Sequence, residues 1–380
     1  MERALSPSGG HLPAMGPAAH NCARMPKPTL DWLLIFVPIA LAAQFLFDQP
    51  VVVFVSSCVA IVPLAGLIGR ATDQLAERAG PTVGGLLNAT FGNVTELIIS
   101  ILLVWAGEFE IVKATLIGSI LGNLVLVLGA SYLFGGLRHG EQRFDSRAAR
   151  LHSASLVLAV AGLVMPAAFV QFYAHETVAQ IEVISLGVAA VLIVLYVAAL
   201  VFTLGRHGPR NHRTTVVVNP RPAEDPPGWS TQRSLIVLLA SAVTVGVMSE
   251  LLVHTLEPTL AALHLPKLFV GLFVIAFIGN VAEHASAVVF ALRDKMDIAI
   301  EISFSSSTQI ALLVAPVLVF ISLLSPHPMD FIFIPIEVVA VTLATLIVSV
   351  IATDGRSNWL EGAQLLGVYV ILAVSTFFFG

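Results

Sequence analysis

The sequence reads as an all-α polytopic membrane protein with eleven transmembrane helices: one extra N-terminal helix followed by two inverted five-helix repeats. Composition is the first reason. Of 380 residues, 57% are hydrophobic and only 11% charged, against about a quarter charged in an average soluble domain. The second reason is the placement of the basic residues, which fall on one side of successive apolar windows. The third is a polar motif with a carboxylate that occurs twice, each time inside an apolar run.

A spanning helix needs about 20 mostly apolar residues. The windows that satisfy this are 30–47, 51–70, 83–106, 111–134, 149–172, 181–204, 233–255, 267–292, 298–324, 331–351 and 359–379. Several hold internal proline, such as Pro38, Pro63, Pro166, Pro316 and Pro335, which membrane helices tolerate where neighbours satisfy the freed backbone groups. Residues 1–28 are rich in Pro, Gly, Ala and His without the apolar core of a cleavable signal. They are expected to form a disordered tail, with Met15 and Met25 as alternative starts. Cys22 and Cys58, the two cysteines, make no disulfide framework and no metal spacing.

With the N-terminus in the cytoplasm, the cytoplasmic segments hold Arg3, Arg24 and Lys27, then Arg70 and Arg78, then Arg138, Arg143, Arg147 and Arg150. They continue with Arg206, Arg210, Arg213, Arg221 and Arg233, then Arg293 and Lys295, and finally Arg356. Only Lys113 and Lys267 of the 19 basic residues fall elsewhere. The C-terminus is then outside, and the expected location is the inner (plasma) membrane of a bacterium. The longest loop, 205–232, is polar and Pro-rich, a cytoplasmic linker between a first repeat at 51–204 and a second at 233–380. Five helices per repeat is an odd number, so the two halves enter the membrane from opposite sides.

The duplicated motif lies in the third and eighth windows. Gly92, Asn93, Val94, Thr95 and Glu96 are echoed by Gly279, Asn280, Val281, Ala282 and Glu283. An ionisable group at the centre of a membrane helix costs about 2.5–3.5 kcal/mol even on the lenient scale, so its default meaning is functional. Asn88, Gly92, Asn93, Glu96 and Ser100 fall on one helical face. His284 adjoins Glu283. The following windows also correspond: Thr115, Ser119 and Asn123 in the first half match Glu301, Ser305 and Gln309 in the second, each at a spacing of four, with Ser306 and Ser307 beside them.

This donor set suits a hard cation. Calcium takes six to eight oxygen ligands from carboxylates, carboxamides, backbone carbonyls and water. Glu96 and Glu283 would neutralise the charge, Asn93, Asn280, Asn123, Gln309 and Ser305 would fill the shell, and Asn88, Ser119, His284, Glu301 and Ser306 are secondary candidates. Glycine beside the acid is expected to unwind the helix and expose carbonyls, as in the broken helices of inverted-repeat transporters. Two carboxylates held together in a low dielectric repel, so without the metal they take up protons more readily. One pair of acids can then carry either a divalent cation or protons, the basis of antiport.

At these residues the chain resembles the cation/proton exchanger family of calcium/cation antiporters. The resemblance rests on LLNATFGNVTE and IGSILGN in the first half, GNVAEHASAV and SSSTQIALLVAP in the second, and DGRSNWLEGAQLL near the end. It implies eleven helices, alternating access, and exchange of cytosolic Ca2+ for external H+, with Glu96 and Glu283 binding ion or protons in turn. No cofactor is implied beyond Ca2+ as the transported ion, and no nucleic acid; the lipid bilayer is the surrounding partner. Two departures stand out. The acidic segment carried between the halves by many relatives is replaced by the basic linker, and AIEISFSSS, with Glu301, is more acidic and serine-rich than the family's glycine-serine form.

Simpler readings compete at each position. The two glutamates could serve as hydrogen-bonded packing acids, although intramembrane acids are rare without a task. Asn, Ser and Gln also join helices at about 0.6 kcal/mol per bond. A lone histidine is more often a packing residue than a relay. Glu250, His254 and Glu337 fall near outer helix ends, where acids reach water cheaply. A cation channel would use the same acids, but channels usually build such rings from symmetric subunits. Oxygen ligands alone leave open Mn2+ or Mg2+ as cargo and Na+ or K+ as counter-ion. No phosphate cradle, Ser/His/Asp order or HExxH is present, which argues against an enzyme such as an intramembrane hydrolase.

Overall fold

The computed structural model describes residues 30–47, 49–172, 178–204, 228–326 and 328–379. The expected tail and most of the expected linker lie outside the described residues. Helices follow one another as α1 (Leu30–Phe47), α2 (Pro50–Gly80), α3 (Val83–Phe91), α4 (Val94–Trp105), α5 (Phe109–His139), α6 (Ser146–Val170) and α7 (Gln180–Phe202). The second half holds α8 (Thr231–His254), the short α9 (Leu256–Leu263), α10 (Lys267–Ala291), α11 (Met296–Ser322), α12 (Pro335–Ile351) and α13 (Trp359–Phe379).

Among the described residues nine of these are long and apolar enough to cross a membrane, and ten if α3 and α4 count as one bent span. The expected eleven are not reached by length alone. The window at 331–351 shortens to 17 residues in α12, because residues 331–334 are not helical and Pro335 opens the helix at its first turn, where its missing N–H does no harm. The window at 51–70 extends instead to Gly80, whose φ of 82° breaks the helical run. The window at 83–106 divides into α3 and α4, which meet at 40° around Gly92 and Asn93.

Besides the end of α1 at Ala43–Phe47, three of the long helices are locally under-wound. A π-helical turn occupies Gly122–Val127 in α5, Val270–Ile275 in α10 and Ile310–Val314 in α11. Such turns are rare and concentrate at functional sites. All three lie within two turns of a residue of the duplicated polar faces, so the extra residue per turn re-aims those faces toward each other.

The centre is formed by α5 and α10. Apolar apart from the row Thr115, Ser119 and Asn123, α5 is buried over most of its length, as expected of a helix that is largely apolar all round. It crosses α10 at two small residues. A Cβ on Gly118 would run into the backbone of Leu272, and one on Gly271 would stand 2.6 Å from Cβ of Ala114. Close crossing at small residues is how helices associate where lipid is as apolar as the side chains. Around this pair α2 packs along α8, α13 along the second part of α5, and α12 along α6. Most of α7 and α13 faces outward and is apolar, as a lipid-contacting surface requires.

One departure from an all-helical chain is a two-stranded antiparallel ribbon, β1 (Gln142–Arg143) with β2 (Arg356–Ser357), in which Gln142 lies opposite Ser357. It ties the loop before α6 to the loop before α13. Beside it Gln142 donates to the Ala291 carbonyl (3.0 Å) and to Asp294 (2.8 Å). At the other end of the bundle the two basic residues that the charge pattern set apart are both paired across the halves. Lys113 bonds Asp330 at 2.5 Å and the Ile332 carbonyl at 3.0 Å; Lys267 bonds Glu108 and Glu257, each at 2.9 Å.

Candidate functional site

The break between α3 and α4 places Asn93 at the first end of the site. Its φ of −103° and ψ of 24° leave the helix, and α4 restarts at Val94. The expected unwinding at glycine therefore occurs in the first half. It does not occur in the second, where Gly279 and Asn280 lie within uninterrupted helix. There the glycine has a different use: a Cβ on Gly279 would stand 2.9 Å from Cγ and 3.4 Å from Oε1 of Glu96. Gly92 faces the other acid, with Glu283 Oε1 3.8 Å from where its Cβ would be. Gly279 thus makes room for the carboxylate of the opposite half, whereas a Cβ on Gly92 would meet Glu283 at ordinary contact distance and crowd the Asn88 carbonyl at 2.7 Å instead.

The neutral candidates form one hydrogen-bonded chain. Asn93 donates to Gln309 Oε1 (2.7 Å), and Gln309 donates to Ser305 Oγ (3.3 Å). Ser306 donates to Asn93 Oδ1 (3.2 Å) and accepts from Asn123 (2.9 Å). Asn123 also donates to Asn280 Oδ1 (3.4 Å), and Asn280 donates to Ser119 Oγ (2.9 Å) and to the Ala276 carbonyl (2.9 Å). Seven side chains from the two halves are linked without a gap. Within that chain Ser306 is central and Ser305 peripheral, the reverse of their order as sequence candidates. Ser306 lies three residues before Gln309, one turn back, and both reach the single residue Asn93.

The carboxylates stand against this chain. Glu96 is almost fully buried and Glu283 partly so, and they are close enough to repel. Ser306 is also a hydrogen-bond neighbour of Glu283. One oxygen of each acid, Oε2, is buried without a hydrogen-bond partner in the protein, as is Asn123 Oδ1. Leaving a buried polar atom unpaired costs about 1–3 kcal/mol, and more for a charge, so orphaned acceptors on both glutamates and on Asn123 call for a positive ligand. Carboxylate and carboxamide oxygens are the donors a hard cation takes.

The secondary candidates divide. Ser119 and Ser306 belong to the chain. His284 is buried beside the site, near Gly122 and 5.5 Å from the Phe277 ring, with both nitrogens unpaired. Asn88 lies one turn before Gly92 and accepts its backbone N–H at 2.8 Å through the Asn88 carbonyl. Glu301 lies two turns from Gln309 on α11. Glu250 and His254 are exposed at the end of α8, and Glu337 accepts the Ile334 N–H (3.0 Å), capping its own helix. Among the described residues no three His, Cys, Asp or Glu side chains gather as a metal cluster.

The sodium/calcium exchanger protein family matches residues 49–205 and again residues 233–378. The chain belongs to that family. Within it the chain lies among the cation/proton exchangers. The Ca2+/H+ antiporter of Synechocystis sp. (strain ATCC 27184 / PCC 6803 / Kazusa) is 45% identical over 91% of this chain and 96% of its own length. The Ca2+/H+ antiporter ChaA of Bacillus subtilis (strain 168) is 42% identical over 90% and 96%. The solved structure of native YfkE superposes with a TM-score of 0.80 at 39% identity, over 92% of this chain and 100% of that one.

Three features of this exchanger were not read from the sequence: the close fit of Gly279 to the opposite acid, the central position of Ser306, and the cross-half pairs of Lys113 and Lys267. Only the last had a signal, since two cations set apart from all the others invite acidic partners.

Proposed function

We propose that this exchanger moves Ca2+ out of the cytosol against H+ entering the cell, with Glu96 and Glu283 holding either the cation or protons. What carries the reading is the pair of buried carboxylate oxygens, one from each half, left without protein partners beside a continuous carboxamide and hydroxyl chain. Asn93, Asn280, Asn123, Gln309, Ser305 and Ser306 would supply neutral oxygens around the ion. A divalent cation and a pair of protons compensate the same two charges, so occupation by one excludes the other and couples their movement. The relatives named Ca2+/H+ antiporters support calcium as the cargo. The basic residues support an inner-membrane protein with α11 beginning at the cytoplasmic side, because Arg293 and Lys295 immediately precede it.

The test is 45Ca uptake into proteoliposomes under an imposed proton gradient, with and without a protonophore, and with Na+ and K+ gradients as controls. Uptake that follows the proton gradient alone is expected. Uptake driven by Na+ or K+ would replace the counter-ion, and uptake that ignores every counter-gradient and follows voltage would mean a channel.

A further inference from the structure

The helices that carry the neutral residues differ in a way their matching sequences do not suggest. On α5, Thr115, Ser119 and Asn123 are each exposed by 2% or less. Their counterparts on α11, Glu301, Ser305 and Gln309, are all partly exposed, and Asp297, one turn before Glu301, is exposed outright. These four positions recur every fourth residue and so form a stripe along one face. A stripe of Asp, Glu, Ser and Gln does not face lipid, and its inner end is bonded to Asn93 at the centre. It makes a polar path from the Met296 end of α11 inward. At the end of that path Gly92 is exposed and Glu283 partly exposed, whereas the opposite end of the bundle is tied across the halves by Lys113–Asp330 and Lys267–Glu108.

Glu301 stands midway along this path, roughly 6 Å of helix rise from Ser305 and roughly 12 Å from Gln309. It forms no hydrogen bond or ion pair with any described residue. The neighbouring charge is Asp297, whose carboxylate is held by the backbone N–H of Asp145 at 2.6 Å. An acid within a membrane helix, without a basic partner, is costly to keep unless it meets a cation.

We propose that Glu301 is a further cation-binding carboxylate of the transport path, receiving the divalent cation at the open end of the α11 stripe before Ser305, Gln309 and the two central glutamates. This rests on the exchange reading. Glu301 then sets how well the protein captures the cation from one side, while Glu96 and Glu283 set whether exchange occurs.

The experiment measures initial rates of 45Ca transport against Ca2+ concentration on the α11-entry side for the wild type, Glu301→Gln and Glu301→Asp. Glu301→Gln is expected to raise KM about tenfold, the equivalent of ~1.4 kcal/mol of lost attraction, with the maximal rate within about twofold. Glu301→Asp, which keeps the charge, is expected to recover most of the affinity. In parallel, Glu301→Cys in a background lacking Cys22 and Cys58 is treated with a cationic thiosulfonate reagent, and Ca2+ is expected to slow modification at least about fivefold. An unchanged KM in Glu301→Gln, a loss of maximal rate in all variants at constant KM, or modification indifferent to Ca2+ would each overturn the proposal. A wild type without proton-driven uptake would remove the exchange reading itself; a wild type that exchanges while Glu301→Gln matches its KM would remove only this inference.

Discussion

Gly279 on α10 lies against the side chain of Glu96 on α4, so closely that a Cβ there would stand 2.9 Å from Cγ of the acid. The contact joins the motif glycine of one half to the motif carboxylate of the other. Gly92 also faces Glu283, but its Cβ position is 3.8 Å from Oε1, an ordinary contact distance. The Glu96 carboxylate is thus seated against a glycine of the other half.

Gly279→Ala is therefore expected to push Glu96 out of position. Overpacking of this kind costs about 1–3 kcal/mol, which a well-packed membrane bundle survives, so the expected result is a folded protein with transport reduced at least about tenfold. Size-exclusion profile and uptake measured together check it. Wild-type uptake in Gly279→Ala would mean that the close approach has no part in function.

Replacing either central acid removes charge while keeping volume. Glu96→Gln and Glu283→Gln are each expected to abolish exchange and leave insertion and thermal stability near wild type, since a neutral carboxamide is easier to bury than a carboxylate. Uptake together with thermal unfolding in detergent checks this, and full exchange by both variants would dismiss the two-carboxylate site.

The bond between Asn93 and Gln309 is the shortest in the polar chain at 2.7 Å and spans the halves. A double-mutant cycle with Asn93→Ala and Gln309→Ala is expected to show non-additive effects of about 0.5–3 kcal/mol on stability, as for contacting residues in one network. Additive effects would mean that the two side chains act separately.

The polar rows of α5 and α11 differ in exposure, so thiols along the two stripes should report it. In a background without Cys22 and Cys58, Ser305→Cys is expected to react with a water-soluble thiol reagent, and Ser119→Cys to react at least about tenfold more slowly. Equal rates would contradict the difference in burial between α5 and α11.

The cross-half ion pairs are partly exposed, with side-chain exposures of 15% and 35% for Lys113 and Asp330. Lys113→Met is expected to lower unfolding stability by about 1 kcal/mol, at the upper end for an exposed pair, and the loss should shrink in high salt. The reversed pair, Lys113→Asp with Asp330→Lys, is expected to recover part of it. Thermal unfolding at two salt concentrations checks both.

Much of this was legible along the chain. Apolar runs mark the helices because a bilayer leaves backbone groups no partner other than their own helix, and the recurrence of GNxxE marks a duplicated site because a buried carboxylate is too costly to occur twice without use. The resemblance at LLNATFGNVTE and GNVAEHASAV was carried by the same residues. Helix ends were less legible: α2 runs on to Gly80 because nothing polar in residues 71–79 stops a helix, and α12 starts late because Pro335 favours a first turn.

By itself the sequence determined that the protein is a helical membrane bundle with two matching acidic motifs, since periodicity, hydrophobicity and intramembrane charge are local properties of a chain. Tertiary structure alone decided that Gly279 makes room for the opposite acid, that Ser306 rather than Ser305 takes the centre of the polar chain, and that the polar row of α11 is partly exposed where that of α5 is buried. Those depend on the crossing of α5 with α10, on the three π-helical turns and on the break at Asn93, each of which rotates a polar face by a fraction of a turn. Such rotations arise from contacts between residues more than a hundred positions apart, and no local pattern encodes them.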